Sequence, residues 1–237
     1  MTPTAAERKA LTKGLLKLNE NMVTLAELSE IAIRKAVDSL ARMDGETPHE
    51  VFTLDQEIYA LQIEIERTCG DLIALHAPVA SDLRTITTSL KITTDLDRIG
   101  RYAKDIAETA LQLPPGSTDW FAKLPGLAKM MDLTIEMVDT ATDAFVRRSA
   151  ESVRNIAEGD DGVDELYEDT FNAIVRYMDD ESLTIEVGSR YILVARHLER
   201  IADHAVNIGE RVIYMVTGER PPRVRAADRR AEAGKRP

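Results

Sequence analysis

Between Tyr191 and Glu219, the residues Glu199, Asp203, Asn207 and Glu210 recur at spacings of three and four and so share one stripe of a helix. A row of carboxylates offers hard oxygen donors, and the chemistry open to it is the binding of cations. A single row of this kind more commonly does no more than solvate a helix face. On the same helix Val194, Leu198, Ile201, Ala205, Ile208 and Val212 form an apolar stripe that must face a core.

A second copy of the pattern changes the weight of the observation. Asp95 to Glu108 reads DLDRIGRYAKDIAE, against HLERIADHAVNIGE from His197 to Glu210. Leu, Arg, Ile, Ala, Ile and Glu recur in register, and the acidic Asp97 stands where Glu199 stands, so the chain carries an internal duplication.

The elements that position these residues follow from period and breakers. Apolar positions at helical spacing predict helices over about 7–43, 49–76 and 78–113, with Gly45 and Pro48 breaking the first from the second and Pro78 opening the third at its first turn. Pro114-Pro115-Gly116 is the clearest boundary, and beyond it the order repeats with helices over about 118–148, 151–178 and 182–217. The expected fold is all-α, two tandem three-helix bundles of antiparallel helices. The first repeat occupies 1–115 and the second 116–219, with a basic, disordered tail over 220–237. Superposed, the halves should bring Asp97 near Glu199.

Composition excludes several classes. At 237 residues with 44% apolar content the chain can bury a sizeable core, and no sustained alternation argues for strands. The N-terminal stretch lacks the apolar core of a signal peptide and no long apolar run occurs, so a cytoplasmic protein without a membrane span is expected. The net charge of −11 is concentrated before the basic tail, which argues against direct nucleic-acid binding and suits cations. The tail reads as solubilising, with peripheral contact to an acidic partner or lipid headgroups as the alternative. Cys69 has no Cys or His neighbour and reads as a packing residue.

Here the residues carry a resemblance. The HLERIADHAVNIGERVIYMVTGE block, HAPVASDLR from His76 to Arg84 with DLDRIG after it, and the LDQEI and DDGVDEL segments together resemble the PhoU family over nearly all of 15–219. The resemblance implies metal clusters held by paired E(D)xxxD motifs on the second and third helix of each repeat. It also implies restraint of phosphate uptake and of the phosphate-starvation response, with the Pst transporter ATPase and a PhoR-type sensor kinase as partners, and a homodimer.

Carried over residue by residue, the motifs are uneven. The second repeat has both, Asp160 with Asp164 and Glu199 with Asp203, and Asn207 follows one turn on. Two such pairs facing each other would form an oxygen cage for a divalent or iron-type ion, with Fe, Mn, Mg, Zn and Ca all compatible. In the first repeat Asp55 and Asp97 remain, but Tyr59 and Arg101 replace their partners. Arg101 should pair with Asp97 and repel a cation, so this site is expected to be weakened or lost, with Asp105 a partial compensation. Gly159 and Gly162 flank the Asp160 motif and could fray or kink its helix.

Other residues favour structural roles. His197 and His204 project away from the Glu199 stripe, at the edge of the buried face, and read as packed or boundary residues. His49 follows Glu46 at the spacing used in di-iron bundles, but Gly45 and Pro48 argue for a loop there. Asp82 and Arg84 read as first-turn features of the third helix, and Trp120 as packing between the repeats. No nucleophile elbow, glycine-rich phosphate loop or helical Glu-x-x-His pair supports an enzyme. A metal-binding regulator is therefore expected, against two alternatives: a metal-dependent phosphatase or ferroxidase, and a metal-free helical adaptor.

Overall fold

The computed structural model describes residues 5–43 and 45–221; most of the 220–237 tail lies outside the described residues. The described chain is helical throughout, without a strand. Its elements are α1 (Ala5–Arg42), α2 (Thr47–His76), α3 (Ala80–Gln112), α4 (Thr118–Lys123), α5 (Pro125–Arg147), α6 (Ile156–Asp179) and α7 (Ile185–Thr217). Helices α1, α2 and α3 pack on one another, as do α5, α6 and α7, and the two bundles lie side by side with α3 against α7 and α1 against α5.

The α7 apolar stripe is fully buried at Val194, Leu198, Ile201, Ala205, Ile208 and Val212. Its duplicate buries Leu96, Ile99, Ala103 and Ile106 on α3. Removing such stripes from water is the main term holding the bundles together. Helix α7 begins where the Thr184 side chain accepts from the Val187 N–H, and it ends at Gly218, whose φ of 81° caps the last turn in the left-handed region. Cys69 is buried, and burial pushes its thiol up to about 12, which leaves it inert.

Several boundaries differ from those the sequence suggests. The segment after the Pro-Pro-Gly boundary is two helices, because Pro125 cannot donate to the turn before it and instead opens α5. Pro78 lies before α3 rather than in its first turn, and Val79 is the N-cap. Pro48 and His49 belong to the first turn of α2, where proline is tolerated, so His49 is helical and its ring meets Phe52 edge-on at 5.5 Å. Helix α6 starts at Ile156 and runs unbroken through Gly159 and Gly162. A Cβ at either glycine would come within 3.0 Å of Met137 or 3.1 Å of Leu133, so these glycines allow close packing on α5 instead of kinking the helix.

Arg84, read as a local first-turn feature, reaches across the molecule, whereas Trp120, read as packing between the repeats, makes its ring contact inside one bundle. The Arg84 guanidinium donates to the Met215 carbonyl at 3.2 Å, a cation placed against the last turn of α7. Trp120 meets Tyr177 of α6 at 5.2 Å, with the Lys123 ammonium 4.5 Å from the ring, so its ring contact is within the second bundle. The fully buried Tyr191 donates to the Ser117 carbonyl at 3.1 Å, tying the inter-bundle connection to α7.

Candidate acidic seams and the inter-bundle interface

In the second bundle α6 and α7 bring Asp164, Glu199 and Asp203 into one electrostatic neighbourhood. The Glu199 side chain is only 12% exposed. Arg196 donates to Glu199 Oε1 at 2.6 Å, while Oε2 is buried without a hydrogen-bond partner. Burial, then repulsion from Asp203, raises the Glu199 carboxyl to about 7, with Arg196 opposing and Asp164 adding to the rise. Asp160, one turn before Asp164 on α6, is also buried.

The first bundle is built differently. Arg101 Nε lies 3.0 Å from Asp97 Oδ2, and its guanidinium sits 5.8 Å from the Tyr59 ring centroid. Lys104 Nζ lies 3.7 Å from Asp55 Oδ2 and 3.8 Å from Glu108. Both leading carboxylates are thus already faced by tethered cations. Arg101 was legible as the residue four after Asp97; Lys104 was not, because its contact with Asp55 crosses from α3 to α2.

These observations decide how each seam suits a metal ion. An orphaned, buried carboxylate oxygen among mutually repelling acids fits a hard divalent cation, so the second seam fits, with Glu199, Asp203, Asp164 and Asp160 as the oxygen donors. The side chains stand apart: among the described residues no three His, Cys, Asp or Glu converge on one ion position. Arg196 must release Glu199 for it to ligate through both oxygens. The first seam does not fit, since Arg101 and Lys104 supply the compensating charge.

Asn207 and Asp105, aligned in the duplication, stand toward the α3–α7 interface. Asp105 lies 4.0 Å from His197 Nδ1. Burial holds His197 below its ordinary value, with Asp105 opposing, and burial raises Asp105. Asn207 borders a cleft with Lys91 and Arg211.

That interface holds a network that helical periodicity alone does not reveal. Asp95, 4% exposed, accepts from His204 Nδ1 at 2.8 Å, and Arg211 Nε lies 3.2 Å from its second oxygen. Tyr102 lies between the two histidines, 5.7 Å from His197 and 5.8 Å from His204. Under the duplication Asp95 aligns with His197 and Tyr102 with His204, so Asp95–His204 and His197–Tyr102 are the same contact made twice with different chemistry. His204, half-buried, is therefore a hydrogen-bond partner of Asp95 across the interface and more than a boundary residue. Asp95→Asn removes the charge that Arg211 faces and weakens the acceptor of the His204 hydrogen bond, and should cost about 2 kcal/mol in urea unfolding at pH 7. Unchanged stability would show that these contacts hold nothing together.

Two three-helix units of related sequence pressed along a common pair of helices define a duplicated helical-bundle protein. The described residues include no helix long and apolar enough to cross a membrane. The PhoU domain matches twice, over residues 22–110 and 127–212, and the chain belongs to the PhoU family. The phosphate-specific transport system accessory protein PhoU homolog of Zymomonas mobilis is 34% identical over 227 residues, 95% of each chain. Its counterpart in Aquifex aeolicus is 36% identical, with 88% of this chain and 94% of that one covered. The crystal structure of the phosphate transport system regulatory protein PhoU from Streptococcus pneumoniae superposes with a TM-score of 0.81 at 31% identity, covering 90% of this chain and 99% of that one. PhoU from Pseudomonas aeruginosa gives 0.79 at 31% identity, with 88% and 99% covered. These relatives are named as accessory and regulatory proteins.

Proposed function

We propose that this protein is a cytoplasmic accessory regulator of a phosphate-specific transport system, restraining a Pst-type transporter through its ATPase and the starvation response through a PhoR-type kinase. The observation that carries this reading is similarity along 95% of the chain to a relative named for that system, with both repeats matched. The accessory role is supported by those names; the ATPase, the kinase and a homodimeric state are the finer parts of the proposal. Metal binding by the second seam belongs to it as well, supported by the orphaned Glu199 oxygen and the acids around it. Bound there, a divalent ion would supply charge neutralisation between α6 and α7. The chain's own residues set these acids on facing helices, with Asp160 buried, Glu199 and Asp164 partly buried and Asp203 exposed, and Arg196 pairs with Glu199.

The test is genetic. Deleting the gene should leave phosphate-starvation genes expressed when phosphate is plentiful, read by a reporter for one such promoter. Repression that persists in the deletion strain would overturn the reading.

A further inference from the structure

At the end of the α3–α7 interface beyond Asp95 lies an open cleft of about 450 Å³, bordered by Thr87, Thr88 and Lys91 of α3 and by Asn207, Glu210, Arg211 and Tyr214 of α7, with Arg220 and Pro221 closing one side. In a chain of net charge −11 its character is unusual: Lys91, Arg211 and Arg220 face a single carboxylate, Glu210. Arg211 Nε lies 3.2 Å from Asp95 Oδ2, an ion-pair contact without hydrogen-bond geometry, and a guanidinium carries five N–H donors. The Arg220 guanidinium is 5.8 Å from the Tyr214 ring centroid, so one wall is both cationic and aromatic.

The cleft is not a by-product of the duplicated architecture. At the related position in the other half, Leu193 stands for Lys91, Thr109 for Arg211, Gln112 for Tyr214, and the acids Asp105 and Glu108 for Asn207 and Glu210. There Arg190 is bound to Gln112 and lies 3.6 Å from Glu186. Among the described residues, this end of the interface gathers three cations, whereas the related end has Arg190 beside the Glu186 carboxylate. Cations on the walls of a cleft focus field lines, and guanidinium groups match the oxygens of phosphate-type anions.

We propose that this cleft binds a phosphate-type oxyanion, held by Lys91, Arg211 and Arg220 with the Asn207 amide as a neutral donor. Its volume is in the range of small-molecule sites and exceeds what one free phosphate fills, so the anion is carried either by a nucleotide-sized molecule resting on Tyr214 or by inorganic phosphate with water. Because Arg211 also holds Asp95, an anion in the cleft competes for the cation that pins α3 to α7. The site thereby acts on the inter-bundle contact, independently of the acidic seams.

The experiment is titration calorimetry of the full chain, treated with EDTA, against inorganic phosphate and against ADP at low and at high salt. The comparison is the double variant Lys91→Gln with Arg220→Gln, two exposed residues whose loss should leave the melting temperature unchanged. At least one probe should bind at low salt, more weakly at high salt and at least ten-fold more weakly to the double variant. Equal affinity for both probes identifies the free anion as the ligand; a preference for ADP identifies the larger molecule. Binding of neither probe, or binding that survives both substitutions, would overturn the proposal.

Discussion

A chain carrying Glu199→Ala and Asp203→Ala should lose most of its bound metal, while one carrying Asp55→Ala and Asp97→Ala should keep nearly all of it. The reason is charge. In the second bundle Glu199 is buried beside Asp203 and Asp164, with Asp160 one turn away on α6; Arg196 and Arg200 oppose the repulsion, and a divalent ion would relieve it further. In the first, Asp55 and Asp97 are already answered by Lys104 and Arg101. Arg101→Asp with Tyr59→Asp should raise the metal content, and the structure adds a condition: Lys104→Gln is needed as well, since Lys104 faces Asp55. Elemental analysis after dialysis gives metal per chain. Equal loss from the two alanine pairs would show that the asymmetry is misjudged.

The same seam should make the metal-free protein less stable as pH rises. Glu199 has a folded-state value of about 7, above its ordinary 4.5, so the fold favours its protonated form. That contribution is fully present below 4.5 and is lost as pH rises through about 7. Converted at about 1.4 kcal/mol per unit, the rise from 4.5 to about 7 gives a penalty of roughly 3 kcal/mol at pH 8. Glu199→Gln carries no charge to desolvate. In EDTA it should exceed the parent's stability by about 2–3 kcal/mol at pH 8 and by much less at pH 5, measured by urea unfolding. A gain of the same size at both values would locate its cause outside this ionisation. Excess Mg²⁺ or Mn²⁺ at pH 8 should narrow the gap, because ligation and protonation relieve the same repulsion.

Most of the architecture was legible because helices announce themselves by period. The stripe from Val194 to Val212 and its duplicate on α3 needed only the order of apolar residues, and Arg101 beside Asp97 needed only a four-residue step along one helix. What lay out of reach depends on how helices turn toward each other. Lys104 meets Asp55, and Arg211 and His204 meet Asp95, across interfaces whose rotation no single-helix pattern sets. Arg196 stands three residues before Glu199 and was in principle visible; its weight emerged only when Glu199 proved buried. The proline boundaries failed for a local reason: a proline fits the first turn of a helix and the residues just before one, and sequence alone does not choose between Pro48 in α2 and Pro78 ahead of α3.

The unlike chemistry of the repeated contact between α3 and α7 amounts to a recognition code. Two copies of the first half pairing in this geometry would set each Asp95 against a Tyr102, leaving a buried carboxylate with neither His204 nor Arg211 to answer it. Two copies of the second half would set His197 against His204 with no acid between them. Only the mixed pairing sets both His204 and Arg211 against Asp95, so an unlike partner is favoured over the like pairings. A protein whose halves share a sequence ancestry has in this way acquired the means to tell one half from the other, and with it a built-in preference for joining its own halves over exchanging them with a neighbour's.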